Sequence, residues 1–247
     1  MLMKPIILIP ARMASTRLPN KPLADIHGKP MIVHVMERAL ESQLGRVVIA
    51  CGDPEIKTTI EKAGGEAVLT DPDLPSGSDR ILAALDIIDS KHEYDAVINV
   101  QGDLPTLEPK LIKTAYDLLQ DITVSIGTLG AIITKESEKT NPSVVKAIAE
   151  IDFSKGQKHG RALYFTRTTA PHGEGPLLHH IGLYAYKRQA LEKFVASPPS
   201  VLERREKLEQ LRALALGMRI EIAVVDTIPL GLDTPEDLEV ARNMLGK

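Results

Sequence analysis

Residues 10–22 read Pro-Ala-Arg-Met-Ala-Ser-Thr-Arg-Leu-Pro-Asn-Lys-Pro, a stretch that holds Arg12, Arg17 and Lys21, the hydroxyls of Ser15 and Thr16, and no acid. Positive charge at this density suits a triphosphate, which arginine can grip through paired N–H donors and lysine as a point charge. Taken alone, the stretch reads equally as a solvated basic surface loop. Two aspartates could turn it into part of a metal–phosphate site. Asp103 closes the run Asn99-Val100-Gln101-Gly102-Asp103, directly after an apolar segment, and a strand-end acid beside a glycine is awkward without a ligand. Asp233 precedes Thr234-Pro235-Glu236-Asp237, where Thr234 caps a helix, Pro235 fills its first position and Asp237 completes a capping box, so Asp233 also reads as a turn residue. Magnesium needs few protein carboxylates, because water and phosphate oxygens complete its octahedron. Neither G-x-G-x-x-G after the first strand nor G-x-x-x-x-G-K-[ST] anywhere is present, which removes the two glycine-based phosphate cradles.

These residues need elements to position them. Apolar runs at residues 6–9, 47–50 and 96–100 have the continuous hydrophobicity of strands buried on both faces, as in a parallel sheet. Helical spacing separates them at residues 30–44, 55–63 and 78–88. This alternation predicts a doubly wound α/β sheet, whose ligands sit beyond the carboxyl ends of the strands, where both the basic loop and Asp103 fall. From residue 123 to 186 the period changes to two, with glycine, proline and threonine as punctuation, and antiparallel strands forming a second lobe or a dimer arm are expected. Helical spacing returns at residues 201–216 with Gly217 as C-cap, followed by a strand at 220–225 and a last helix from Pro235.

Composition narrows the partners. The chain has 247 residues, 43% of them hydrophobic, enough for a substantial core, and a net charge of −3 with acids and bases mixed. It therefore lacks the basic field that nucleic-acid backbones or anionic membranes require. Cys51 is the single cysteine, which excludes an intrachain disulfide and a cysteine-based zinc site and suits a reducing compartment. The apolar run before Pro10 is too short for a signal segment or a membrane span, so a cytoplasmic location is expected.

Several blocks together resemble the 3-deoxy-manno-octulosonate cytidylyltransferases, which form CMP-Kdo for lipopolysaccharide synthesis. They are Ile9-Pro10-Ala11-Arg12, Ser15-Thr16-Arg17-Leu18-Pro19, Gly28-Lys29-Pro30-Met31-Ile32, Ser76-Gly77-Ser78-Asp79-Arg80, Gln101-Gly102-Asp103, His180-Ile181-Gly182-Leu183-Tyr184, Leu208-Glu209-Gln210-Leu211-Arg212 and Asp233-Thr234-Pro235-Glu236-Asp237-Leu238. The resemblance implies the nucleotide-diphospho-sugar transferase type of fold: a Rossmann-like doubly wound, mostly parallel sheet with a smaller antiparallel lobe. The nucleotide domain would comprise residues 1–122 and 219–247, and a sugar-binding and dimerisation lobe residues 123–218. It further implies CTP and Kdo as substrates, Mg2+ as cofactor and a homodimer. Ala11, Arg12, Ser15, Arg17, Lys21, Ser76, Gly77, Arg80 and Gln101 would surround the nucleotide, with Asp103 and Asp233 on magnesium. Arg17, Arg80 and Gln101 would also reach the sugar acid, together with His180, Tyr184, Glu209 and Gln210. Arg12, Lys21, Asp103 and Asp233 would carry the chemistry, in which the anomeric hydroxyl of Kdo attacks the α-phosphorus of CTP in line; no side chain stands out as a general base.

The residues support part of this. On a strand, His180, Gly182 and Tyr184 share one face, with the glycine leaving room between two polar side chains, although a structural histidine and a core tyrosine fit the same pattern. Glu209 and Gln210 flank the apolar Leu208 and Leu211 and, without the resemblance, read as solvated. Three places depart from the family: Leu104 stands where a glutamate is usual, Ser78-Asp79 replaces Thr-Glu, and residues 171–178 are shortened. The rival readings are a transferase for another sugar acid, such as a sialic acid or an amino analogue of Kdo, a non-catalytic nucleotide-binding module, and a glycosyltransferase. The last would ordinarily carry a D-x-D motif, of which Gln101-Gly102-Asp103 has one acid.

Overall fold

The long apolar runs become strands with no solvent face. In a computed structural model of the protein, describing residues 3–14 and 17–246, β1 (Pro5–Ala11) holds Ile6, Ile7, Leu8 and Ile9 fully buried. A two-residue hairpin joins β2 (Asp25–Ile26) to β3 (Lys29–Pro30), its turn residues His27 and Gly28 both at positive φ, the geometry that matches the twist of paired strands. Then follow α1 (Met31–Glu41), β4 (Arg46–Cys51), α2 (Pro54–Lys62), β5 (Ala67–Leu69), α3 (Gly77–Ile88), β6 (Ala96–Asn99) and α4 (Pro109–Asp117). α1 buries Met31, Val35 and Ala39, which helical spacing places on one stripe, together with Ile32, Val33 and Met36, while Leu40, which the same spacing would add to the stripe, is exposed. Cys51 ends β4, buried.

Next come β7 (Ile126–Ile132), α5 (Glu136–Thr140), β8 (Lys146–Glu150), β9 (His159–Thr166), β10 (Leu178–Lys187), α6 (Arg188–Ala196), α7 (Val201–Glu206), α8 (Gln210–Ala215) and β11 (Ile220–Val225), and finally α9 (Pro235–Leu245). The chain forms two compact units, one running to Lys113 and resuming at Pro229, the other spanning Thr114–Ile228.

In the first unit β1 pairs in parallel with β4 and β6, and β4 with β5, giving the order β5-β4-β1-β6. By appearance these are the third, second, first and fourth strands. The order reverses between β1 and β6, and such a reversal leaves a crevice at the carboxyl ends of those strands. α9 returns to this unit through a separate core of Leu18, Ile26, Met31, Leu232, Leu238 and Ala241. Its start is the expected capping box: the Thr234 side chain accepts from the Asp237 N–H, the Asp237 side chain accepts from the Thr234 N–H, and Pro235 occupies the first turn.

The second unit corrects three expectations. Its sheet is mixed, since β7 pairs antiparallel with β10 but parallel with β11, and β11 continues antiparallel to β9 and β9 to β8. Because β11 hydrogen-bonds both β7 and β9, it belongs here, and the units divide at 113/114 and 228/229 rather than at 122/123 and 218/219. The single helix expected over residues 201–216 is broken. Lys207 takes a left-handed φ of 58° and its N–H returns to the Glu203 carbonyl, closing α7. The break allows a buried ion pair between Glu203 on α7 and Arg212 on α8, with Arg212 Nε 2.9 Å from Glu203 Oε2 and the guanidinium 4.5 Å over the Phe194 ring. α8 then ends on Gly217 as expected: Gly217 donates to the Leu214 carbonyl and Met218 to that of Ala213, the paired bonds that a left-handed glycine permits.

Candidate active site

The crevice of the first unit is a cavity of about 420 Å3. The basic loop supplies Ala11, Arg12, Arg17 and Lys21 to its wall, the start of α3 supplies Ser76, Gly77 and Arg80, the turn after β6 supplies Gln101 and Asp103, and the segment before α9 supplies Asp233. Ser15 and Thr16 lie outside the described residues.

Lys21 sits at the centre. Asn20 adopts the left-handed conformation and Lys21-Pro22-Leu23 forms a single 3-10 turn, which turns the lysine back toward the strand ends. Its ammonium donates to Asp103 Oδ2 at 2.8 Å, to the Leu232 carbonyl at 2.8 Å and to Asp233 Oδ1 at 3.1 Å, one acceptor for each of its three protons. Burial pushes the Lys21 pKa down, but the two carboxylates outweigh it and hold it above the ordinary lysine value. Arg17 adds a second cation, with Nη2 2.9 Å from Asp233 Oδ2.

Asp103 and Asp233 therefore converge on one point although 130 positions separate them in the sequence numbering (233 − 103). Gly102 makes the approach possible, because a Cβ there would lie 2.6 Å from the Pro10 carbonyl oxygen. Leu232 N–H to Asp103 O, at 3.0 Å, ties the two segments together. Two carboxylates facing a cavity with room for water and phosphate oxygens form a donor set that suits a small hard dication. Among the described residues, no group of three or more His, Cys, Asp or Glu side chains could hold a metal.

The other walls show why cation-rich sequence and cavity coincide. Ser76 caps α3 by accepting the Asp79 N–H, so the positive end of a twelve-residue helix meets the cavity at Gly77, a favourable place for an anion. Asp79 closes this cap from the other side, its Oδ2 accepting the Ser76 hydroxyl. Arg80 is 2% exposed, and its guanidinium donates to Thr70 Oγ1 at 2.7 Å and to the carbonyls of Asp71 and Pro72 at 3.0 and 3.1 Å. Burial, and then the neighbouring charge of Arg12, lower its pKa.

The remaining expected residues lie in the second unit and form a group of their own. His180 is buried, with Nε2 3.1 Å from Thr128 Oγ1, Nδ1 3.4 Å from Gln210 Nε2 and its ring edge-on to Phe165 at 4.7 Å. Loss of water, with a smaller contribution from His179, lowers its pKa to about 3, so the ring is neutral. Tyr184 lies on the same side of β10, its ring 5.5 Å from that of His180, and burial followed by Tyr186 and Glu209 pushes its phenol up. Glu209 precedes α8, half-buried. Thr128 and Gln210 thus satisfy both ring nitrogens of His180 within the fold.

A family model described as cytidylyltransferase matches residues 6–220. The chain belongs to the cytidylyltransferase family. The 3-deoxy-manno-octulosonate cytidylyltransferase of Parvibaculum lavamentivorans is 62% identical over 243 residues, covering 98% of this chain and 93% of that protein. The protein of the same name from Rhodospirillum centenum is 58% identical over 241 residues, with 98% and 93% covered. A solved CMP:2-keto-3-deoxy-manno-octonic acid synthetase complexed with CTP superposes with a TM-score of 0.88 at 36% identity, covering 98% of each chain. Among cytidylyltransferases, this chain thus groups with those for 3-deoxy-manno-octulosonate.

Around this cytidylyltransferase's cavity, some residues have a part that their sequence context does not announce. The Leu232 carbonyl is backbone, and no pattern of side chains announces it. Asp53 reads as a helix-start residue before Pro54, yet its Oδ2 accepts the Met13 N–H at 2.8 Å and so anchors the basic loop to the end of β4. Leu104, where the family usually has glutamate, is buried and acts as core. No helix is long and apolar enough to cross a membrane among the described residues.

Proposed function

We propose that this chain transfers CMP from CTP to 3-deoxy-D-manno-octulosonate (Kdo), giving CMP-Kdo and pyrophosphate for lipopolysaccharide synthesis. The observation that carries the reading is the convergence of Lys21, Arg17, Asp103 and Asp233 in one cavity. A triphosphate bound with magnesium needs cations for its oxygens beside a few hard ligands for the metal. The activity in the relatives' names supplies what charge does not: cytidine as the base and Kdo as the acceptor.

Arg12, Arg17 and Lys21 would hold the triphosphate, with Ala11, Ser15, Ser76, Gly77 and Gln101 around the nucleotide and the N-terminus of α3 behind its phosphates. Asp103 and Asp233 would hold magnesium, which when bound lowers the pKa of the attacking hydroxyl and screens the phosphate charge that repels it. The anomeric hydroxyl of Kdo attacks the α-phosphorus in line, the bond to pyrophosphate breaks, and the hydroxyl proton passes to water. Arg12 and Lys21 neutralise the charge that grows on the departing pyrophosphate, so the protein acts by positioning and electrostatics, without a covalent intermediate. Arg17, Arg80 and Gln101 would also reach the sugar acid, Arg80 bracing the wall at residues 70–72. His180, Tyr184, Glu209 and Gln210 would face the sugar acid, where a neutral His180 offers hydrogen bonds to hydroxyls rather than charge to a carboxylate. In this reading the first unit is a Rossmann-like, doubly wound nucleotide domain and the second a sugar-binding and dimerisation lobe of a cytoplasmic homodimer.

Pyrophosphate release from CTP, measured with Kdo, its amino analogue and a sialic acid, tests the proposal. Kdo is expected to give the highest kcat/KM, and chelation of divalent cations to abolish turnover. Tight CTP binding without release on any acceptor would instead mark a non-catalytic nucleotide-binding module. Sedimentation of the purified chain tests the dimer.

A further inference from the structure

Before any ligand arrives, Lys21 and Arg17 on one side and the two aspartates on the other neutralise one another. Lys21 commits all three ammonium protons to Asp103, Asp233 and the Leu232 carbonyl, and Arg17 holds the second oxygen of Asp233. An ammonium lying between two carboxylates stands where a dication held by the same pair would have to stand, and the two cations cannot share the point. Lys21 and Arg17 also line the cavity and, with Arg12, would hold the triphosphate of the proposed reaction. Both sets of partners thus compete for the same side chains.

We propose that Lys21 is a placeholder for the divalent cation: without nucleotide it bars the metal from Asp103 and Asp233, and the triphosphate draws its ammonium away, so metal and nucleotide bind as a coupled pair. The inference rests on Asp103 and Asp233 as metal ligands. Only the side chain needs to move. The backbone of Lys21 is fixed by Pro22 and by the 3-10 turn, with Lys21 N–H on the Leu18 carbonyl and Ala24 N–H on that of Lys21, while a four-carbon stem lets the ammonium swing. Arg17 follows the same exchange, and its departure frees the second oxygen of Asp233.

Titration of the protein with Mn2+, followed by the EPR signal of the free ion, tests this without any turnover. The wild type, Lys21→Met and Lys21→Gln are compared with and without CTP, no sugar acid being present, after circular dichroism has established that each is folded. Removing the ammonium is expected to tighten Mn2+ binding to the nucleotide-free protein by on the order of tenfold or more, and adding Asp103→Asn to either variant should abolish the gain. CTP should give the wild type a comparable gain beyond the Mn2+ that the nucleotide captures by itself. If the folded Lys21 variants bind Mn2+ no more tightly than the wild type, while the wild type with CTP does retain it, the placeholder is overturned and the metal site survives. If the wild type with CTP retains no additional Mn2+, the metal site itself falls and the placeholder with it.

Discussion

Replacing Gly102 by alanine asks how much the site depends on one close backbone approach. The new Cβ would sit 2.6 Å from the Pro10 carbonyl oxygen and 3.3 Å from Ile32 Cδ1. The end of the Ile32 side chain can rotate aside. The carbonyl cannot, because β1 is bonded on one edge to β4 and on the other to β6. Ordinary contact begins near 3.4 Å, so the turn that carries Asp103 must retreat by roughly 0.8 Å, the difference between those distances. Asp103 would then leave the point it shares with Lys21 and Asp233. A misplacement near 1 Å costs on the order of 10²-fold in rate, and forcing an added methyl into a packed region costs about 1–3 kcal/mol. Both are measurable on one preparation, kcat/KM by pyrophosphate release and stability by urea unfolding. Near-native kcat/KM at an unchanged unfolding midpoint would refute the reasoning. Lost stability with full activity would show that the turn can move without carrying Asp103 off its mark.

Asp103→Asn or Asp233→Asn should lower turnover by orders of magnitude in the same assay, and near-normal activity in either would sink its assignment to the metal. Arg212→Met leaves the Glu203 carboxylate buried without its partner, and urea unfolding should report a loss of about 3–5 kcal/mol; a loss well under 1 kcal/mol would mean that water reaches Glu203. His180 makes stability depend on pH. Because burial lowers its pKa from 6.5 to about 3, the unfolded chain takes up a proton between those values that the folded chain refuses. The stability is complete above 6.5 and falls as the pH drops toward 3, by up to about 1.4 kcal/mol per pH unit. His180→Gln should flatten that fall between pH 7 and pH 5, and parallel curves for variant and wild type would exclude His180 as its source.

Where a property is local, the sequence carries it. Ile6 to Ile9 reveal a strand because burial on both faces removes the need for alternation, and Thr234-Pro235-Glu236-Asp237 reveals a helix start because the cap is made by neighbours. The basic loop and the two aspartates are legible as residue types, and the parallel order predicts that the loop and Asp103 share one end of the sheet. What fails is whatever depends on distant partners. Nothing in Ile126–Ile132 says that β7 will pair antiparallel on one side and parallel on the other, since that follows from where β10 and β11 come to lie. The spacing over residues 201–216 stays helical across Lys207, and the break that lets Glu203 meet Arg212 shows only in three dimensions. Arg80 reads as a substrate ligand by type, yet three of its donations go to residues 70–72. Likewise Arg212, one of the blocks that carry the family resemblance, proves to be half of a buried ion pair.

Asp233 and the Leu232 carbonyl belong to a segment that rejoins the first unit only at Pro229, after the whole of the second unit has intervened. During synthesis, β1, the basic loop and Asp103 emerge early, but the third acceptor for Lys21 and the second carboxylate emerge last. A nascent chain stalled anywhere within the second unit would carry Lys21 and Arg17 with one of their two carboxylate partners missing. Catalytic competence thus arrives in a single late step, and translation fragments ending before residue 229 should be unable to run the reaction at all.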